Sequence, residues 1–177
     1  MKPLRIGVLG AARIAELAIV KPAHATGTRL VAIAARNPQR AAAFAAIHGI
    51  QRVAASYPDL LADPEVEAVY NPLPNALHGP WNLAAVKAGK HVLSEKPFAA
   101  NADEAVEVRD AGHRAGVVVA DGFHYLYHPV MHRLRKLLAS GELGELTSIE
   151  AKGKDPDEAW KDAVSQAKQI AQRQGVK

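Results

Sequence analysis

Short apolar runs alternate with longer amphipathic stretches along most of the chain, and no other feature of the sequence restricts the fold as strongly. Strands are expected near 4–9, 29–34, 51–54, 67–71, 90–94 and 117–121. Helices are expected between them, near 12–22, 38–48, 57–62, 76–89 and 102–115, many opened by a polar residue or proline and closed by glycine, as at Gly49, Gly89 and Gly116. Five βα units and a sixth strand predict an α/β fold, a doubly wound Rossmann-type parallel sheet with helices on both faces.

At 177 residues the chain suits one principal domain. Beyond Asp121 the pattern continues through Gly122-Phe123-His124-Tyr125 to a helix near 130–140, carrying Leu134, Leu137 and Leu138. An alternating run at 146–150 reads as the start of one more strand. From Lys152 the character changes. Asp155-Pro156-Asp157-Glu158 supplies a helix start and Gly175 a stop, and Trp160, Ala163, Val164, Ala167, Ile170 and Ala171 fall on one stripe. The expected organisation is a domain at 1–151 followed by a terminal helical segment at 152–177.

With no cysteine, disulfides, thiolate nucleophiles and cysteine-based zinc sites are excluded. The longest apolar runs, such as Leu30 to Ala35, are far too short to cross a bilayer, and the first residues lack the pattern of a signal peptide, so a cytoplasmic protein without a membrane partner is expected. The net charge of +4 comes from scattered residues. Arg133, Arg135 and Lys136 read as the solvated face of a helix, and no nucleic-acid partner is expected. His124, His128 and His132 recur at intervals of four, but Pro129 argues against a continuous helix through them, and no metal site is assigned.

The first strand runs into Gly10-Ala11-Ala12-Arg13-Ile14-Ala15, a tight turn opening a helix. In a dinucleotide fingerprint such a turn carries little side-chain bulk, because backbone amides must approach a pyrophosphate. Here Gly10 holds the first glycine position and Ala12 and Ala15 the other two; a plain βα turn is the alternative. The second strand ends in Ala35-Arg36-Asn37-Pro38, where a Rossmann unit meets the adenosine ribose. Sites that prefer NAD place an acid there, whereas Arg36, with Arg40 one turn on, suits a 2′-phosphate, so NADP(H) is favoured over NAD(H). Two surface arginines at a helix start remain the alternative. The fifth strand delivers Ser94-Glu95-Lys96-Pro97 to the carboxyl edge of the sheet, where open α/β sheets bind ligands. Lys96 is a candidate proton donor, since an ammonium stabilises a developing alkoxide; an ion pair with Glu95 is the other reading.

The ordered set Gly10 to Ala15, Ala35-Arg36-Asn37-Pro38, Asn71-Pro72-Leu73-Pro74-Asn75-Ala76-Leu77-His78, Glu95-Lys96-Pro97 and Gly122-Phe123-His124-Tyr125 with His128-Pro129 resembles the glucose–fructose oxidoreductase/inositol dehydrogenase (Gfo/Idh/MocA) family over about residues 1–150. The resemblance implies a Rossmann domain binding NAD(P) and a second α/β domain forming one wall of the substrate site. It implies that the segment Leu73-Pro74-Asn75 with His78 lines the nicotinamide half of the cofactor. It also implies that the block Glu95-Lys96-Pro97 sets Lys96 beside nicotinamide and substrate, for hydride exchange with a sugar- or cyclitol-like alcohol. Only 26 residues follow Ala151, too few for that second domain. A truncated or engineered chain is therefore expected, one that binds cofactor with little or no turnover unless another copy in a homo-oligomer supplies the missing wall. A structural or designed scaffold with a vestigial site is the alternative from another class.

Overall fold

The structure, a computed structural model, describes residues 2–145, 147 and 148. The chain divides into two compact units, residues 1–123 and 124–177. The expected boundary after residue 151, the strand at 146–150 and the terminal helix lie wholly or largely outside the described residues.

In the first unit six strands, β1 (Arg5–Leu9), β2 (Arg29–Ala34), β3 (Arg52–Val53), β4 (Ala68–Asn71), β5 (His91–Ser94) and β6 (Val119–Asp121), form one sheet in the order β3-β2-β1-β4-β5-β6. Every neighbouring pair is parallel. The order reverses between β1 and β4, which opens a crevice at the carboxyl ends of those strands.

The helices cover both faces, and the two cores show how. Ile6, Val8, Ile33 and Tyr70 pack with Ala15, Ile19, Val20, Ala23 and Ala45 on one face. Leu9, Val31, Val69 and Val92 pack with Leu60, Leu61, Ala85, Val86 and Ala111 on the other. Alternate residues of one strand thus enter opposite cores, so the strands are apolar throughout rather than every second residue. The first face carries α1 (Arg13–Ala15), a π-helical stretch (Glu16–Val20), α2 (Lys21–Thr26) and α3 (Pro38–His48). The second carries α4 (Tyr57–Ala62), α5 (His78–Lys87) and α6 (Ala102–Ala115).

Local chemistry sets the helix ends. Asn37, Ser56 and Asn101 each accept a hydrogen bond from the amide three residues on, satisfying first-turn donors of α3, α4 and α6. Gly49 and Gly116 close α3 and α6 in the left-handed region. The first helix departs from expectation. It does not stop near Pro22 but runs to Thr26, because a π turn precedes the proline: the Lys21 amide bonds back to the Glu16 carbonyl, five residues earlier, and Pro22 then falls in a first turn, where no amide is required.

In the second unit, a 3-10 turn (His124–Tyr127) leads to α7 (Pro129–Ser140). His128 caps α7, its Nδ1 accepting the Val130 amide at 3.2 Å.

Candidate functional site

Four connections at the carboxyl edge of the sheet, after β1, β2, β4 and β5, carry the sequence-predicted residues. The first is the turn after β1. Gly10 has φ +96°, a conformation that L side chains rarely adopt, and its amide donates to the Ala34 carbonyl at 2.6 Å, tying the turn to the end of β2. A β-carbon at Gly10 would sit 3.0 Å from Leu73 Cδ2, so the loop after β4 presses directly on this turn. Ala12 supplies no side-chain cap to the helix that follows, which leaves first-turn amides for another partner. Ala15 is fully buried, explaining the small residue there by close packing of helix on sheet, while Arg13 and Ile14 face outward.

Ala35 is half-buried and Arg36 exposed beyond β2. Asn37 holds the Arg40 amide, and the Arg40 side chain turns back so that Nη2 donates to the Ala11 carbonyl at 3.2 Å. That bond spans 29 residues and fixes a guanidinium against the Gly10 turn. The sequence placed Arg40 one helical turn beyond Arg36 but gave no sign of this contact.

The loops after β4 and β5 rest on a buried polar network. Asn71, His78, Asn82, Ser94 and Glu95 are the buried polar side chains among the described residues, and all five lie at this edge. Burying a polar group is costly unless it is hydrogen-bonded. Asn71 Nδ2 donates to Asn82 Oδ1 at 2.8 Å, and Asn82 Nδ2 donates to Ser94 Oγ at 2.9 Å and to the Phe98 carbonyl at 3.1 Å. His78 is 1% exposed, with Nδ1 at 2.5 Å from the Pro97 carbonyl and Nε2 at 2.5 Å from the Leu73 carbonyl. The imidazole therefore lies beneath the loops and clamps one to the other. Of the segment expected to line a cofactor with it, Leu73 is buried, and Pro74 and Asn75 stand exposed at the surface.

Glu95 and Lys96 part company. Glu95 is 8% exposed and turned inward: its Oε1 accepts the Tyr70 hydroxyl at 2.7 Å and its Oε2 accepts the Lys96 amide at 3.3 Å. Lys96 is exposed and forms no ion pair among the described residues, so the alternative of a Glu95–Lys96 ion pair is not realised. The Lys96–Pro97 peptide bond is cis. Burial, reinforced by the Glu95 carboxylate, drives the Tyr70 phenol far above its ordinary value and keeps it a donor. Asp121, in register with Ser94, has its carboxyl pushed up chiefly by burial. The Gly122 amide opposes that shift, Glu95 adds to it, and His78 opposes it. Its Oδ1 is buried without a hydrogen-bond partner.

Sequence reasoning assigned no role to Tyr70, Asn82, Ser94 or Asp121. The signal was present in part: Asn71, Ser94 and Asp121 are polar ends of apolar strands, and the parallel register sets them side by side.

Comparison with known proteins agrees with this geometry. Residues 4–123 match the model of the GFO_IDH_MocA group, described as an oxidoreductase family with an NAD-binding Rossmann fold. The chain is 43% identical over 151 residues to an uncharacterized oxidoreductase, ORF334, from Rhizobium meliloti, covering 85% of this chain and 45% of that protein. It is 42% identical over 146 residues to D-xylose 1-dehydrogenase (NADP(+)) 2 of Haloferax volcanii, covering 82% and 45%. The crystal structure of KijD10, a 3-ketoreductase from Actinomadura kijaniata in complex with NADP, superposes with a TM-score of 0.73 at 36% identity, covering 81% of this chain and 46% of that one. The chain thus spans less than half the length of the curated relatives it matches.

Proposed function

Because the chain belongs to the GFO_IDH_MocA oxidoreductase family, whose NAD-binding domain is a Rossmann fold, we propose that it binds NADP(H) in preference to NAD(H) along the carboxyl edge of its sheet. The observation that carries this reading is the Arg40 guanidinium held on the Ala11 carbonyl, beside the positive-φ Gly10 turn and the exposed Arg36. Two guanidiniums at the end of β2, with no acid between them, suit a 2′-phosphate and leave the ribose without the carboxylate that NAD sites use. The small residues Gly10, Ala11 and Ala12 leave the amides of Arg13 and Ile14 open to phosphate oxygens. Leu73, Pro74 and Asn75 line the other half of the crevice from loops that His78 clamps beneath.

The residues present fit a dinucleotide, which when bound supplies a hydride-accepting and hydride-donating carbon. Lys96, set free of Glu95, holds its ammonium at the same edge, where it would stabilise an alcohol oxygen as its proton leaves or returns. The relatives include an NADP-linked D-xylose dehydrogenase and a 3-ketoreductase, which supports a sugar-like alcohol or ketone as the substrate class of the longer proteins. For this chain we expect cofactor affinity with little or no turnover. Titration with NADPH and NADH by fluorescence or calorimetry tests the reading. Saturable NADPH binding, tighter than NADH, is expected, and Arg36→Asp should weaken NADPH selectively. Absence of binding by either cofactor at millimolar concentration refutes the assignment.

A further inference from the structure

On the reading that this edge holds a dinucleotide, we propose that the Tyr57 hydroxyl is a further ligand of its phosphate groups. Tyr57 is the first residue of α4, which connects β3 to β4 and so crosses back over the sheet toward the point where the strand order reverses. Its ring is held in place. It packs edge-on against Trp81 of α5, with ring centroids 4.8 Å apart and planes at 73°, and both rings lie against the core that contains Leu9, Leu60 and Val69. Only the polar tip is left over. Its oxygen points at the Gly10 turn: a β-carbon built on Gly10 would lie 3.9 Å from it.

The hydroxyl has no hydrogen-bond partner among the described residues, although the ring that carries it is half-buried. Only Arg5 Nε and Asp121 Oδ1 are buried without a partner among the described residues, so the Tyr57 oxygen reaches solvent and its proton is available to a ligand in the crevice. A phenolic donor fixed by an aromatic neighbour, unpaired, and facing a turn that only glycine can form is suited to an anionic oxygen seated on that turn. A bond to a charged acceptor is also stronger than one between neutral groups. The side chain would work with no conformational change, because Trp81 and the core already set its direction. The sequence offers no hint of it: Tyr57 lies 47 residues from Gly10 and outside every motif quoted above.

The test is Tyr57→Phe, which keeps the ring packing and deletes the donor. Dissociation constants are measured by calorimetry for NADPH, for ADP-ribose and for adenosine 2′-monophosphate. NADPH and ADP-ribose carry the pyrophosphate; adenosine 2′-monophosphate lacks it and retains the phosphate that Arg36 and Arg40 would meet. Expected is a loss of about five- to tenfold for NADPH and ADP-ribose, with adenosine 2′-monophosphate within about twofold and the thermal midpoint unchanged. Unchanged NADPH affinity in the variant, or an equal loss for all three compounds, overturns the proposal. Failure of the unsubstituted protein to bind NADPH at all would instead overturn the proposed function.

Discussion

Replacing Gly10 by alanine isolates the most constrained backbone position in the site. At φ +96° an L residue bears a left-handed penalty of about 1–2 kcal/mol. The new methyl group would meet Leu73 Cδ2 at 3.0 Å, and Leu73 is itself packed in the core. Pushing that side chain off its preferred rotamer costs about 0.5–1.5 kcal/mol more. The sum, about 2–3 kcal/mol, corresponds to a fall of roughly 10 °C in thermal midpoint for a domain of this size. Gly49→Ala is the control: φ is +68° and nothing lies within 4 Å, so only the backbone penalty applies. Thermal and urea unfolding of both variants should therefore show Gly10→Ala as the more destabilised by about 1 kcal/mol, the steric share alone. In a double-mutant cycle, Leu73→Ala should relieve part of that excess, since the two residues touch. A Gly10→Ala variant no less stable than Gly49→Ala would show that the turn does not press on Leu73.

Two further outcomes follow from the buried polar residues. Asn82→Leu keeps the γ-branched shape but removes the partner of Asn71 Nδ2, Ser94 Oγ and the Phe98 carbonyl. Asn71 Nδ2 retains the His78 carbonyl at 3.3 Å and Ser94 Oγ the Glu95 carbonyl at 3.2 Å, so the cost in urea unfolding should be that of about one unsatisfied group, about 1–3 kcal/mol. Asp121→Asn should remove a pH dependence. The native carboxyl is raised, so its neutral form favours folding fully below the ordinary carboxylate value, about 3.9, and that contribution is lost as pH rises through the raised native value. Wild type and Asp121→Asn should match in acid, and the variant should gain in relative thermal midpoint toward neutral pH. A constant difference across that range would show that Asp121 does not titrate abnormally.

Much of the fold was legible because burial on both faces leaves a plain mark. The six strands expected up to Asp121 form, and α3, α4 and α6 start at Asn37, Ser56 and Asn101, whose short polar side chains cap their own neighbours. The first helix runs past its expected end near residue 22 because a π turn sets Pro22 where no amide is required, and such a turn has no signature of its own in the sequence. In the candidate site, the positions of Gly10, Arg36 and Lys96 at the carboxyl edge were legible because each closely follows a strand. The inward turn of Glu95 was not, since an adjacent acid and base look like an ion pair until Tyr70, 25 residues away, is seen to hold the carboxylate.

The sequence by itself determined the parallel sheet, its dinucleotide-type turn and the family, because these depend on periodicity and on residues close together in the chain. Tertiary structure alone decided which side chains share the edge. It set Arg40 on the Ala11 carbonyl, His78 between Leu73 and Pro97, and the Tyr57 hydroxyl near Gly10. Those are contacts between segments brought together by strand order, and a hydrogen bond depends on a few ångströms and an angle that no local spacing encodes.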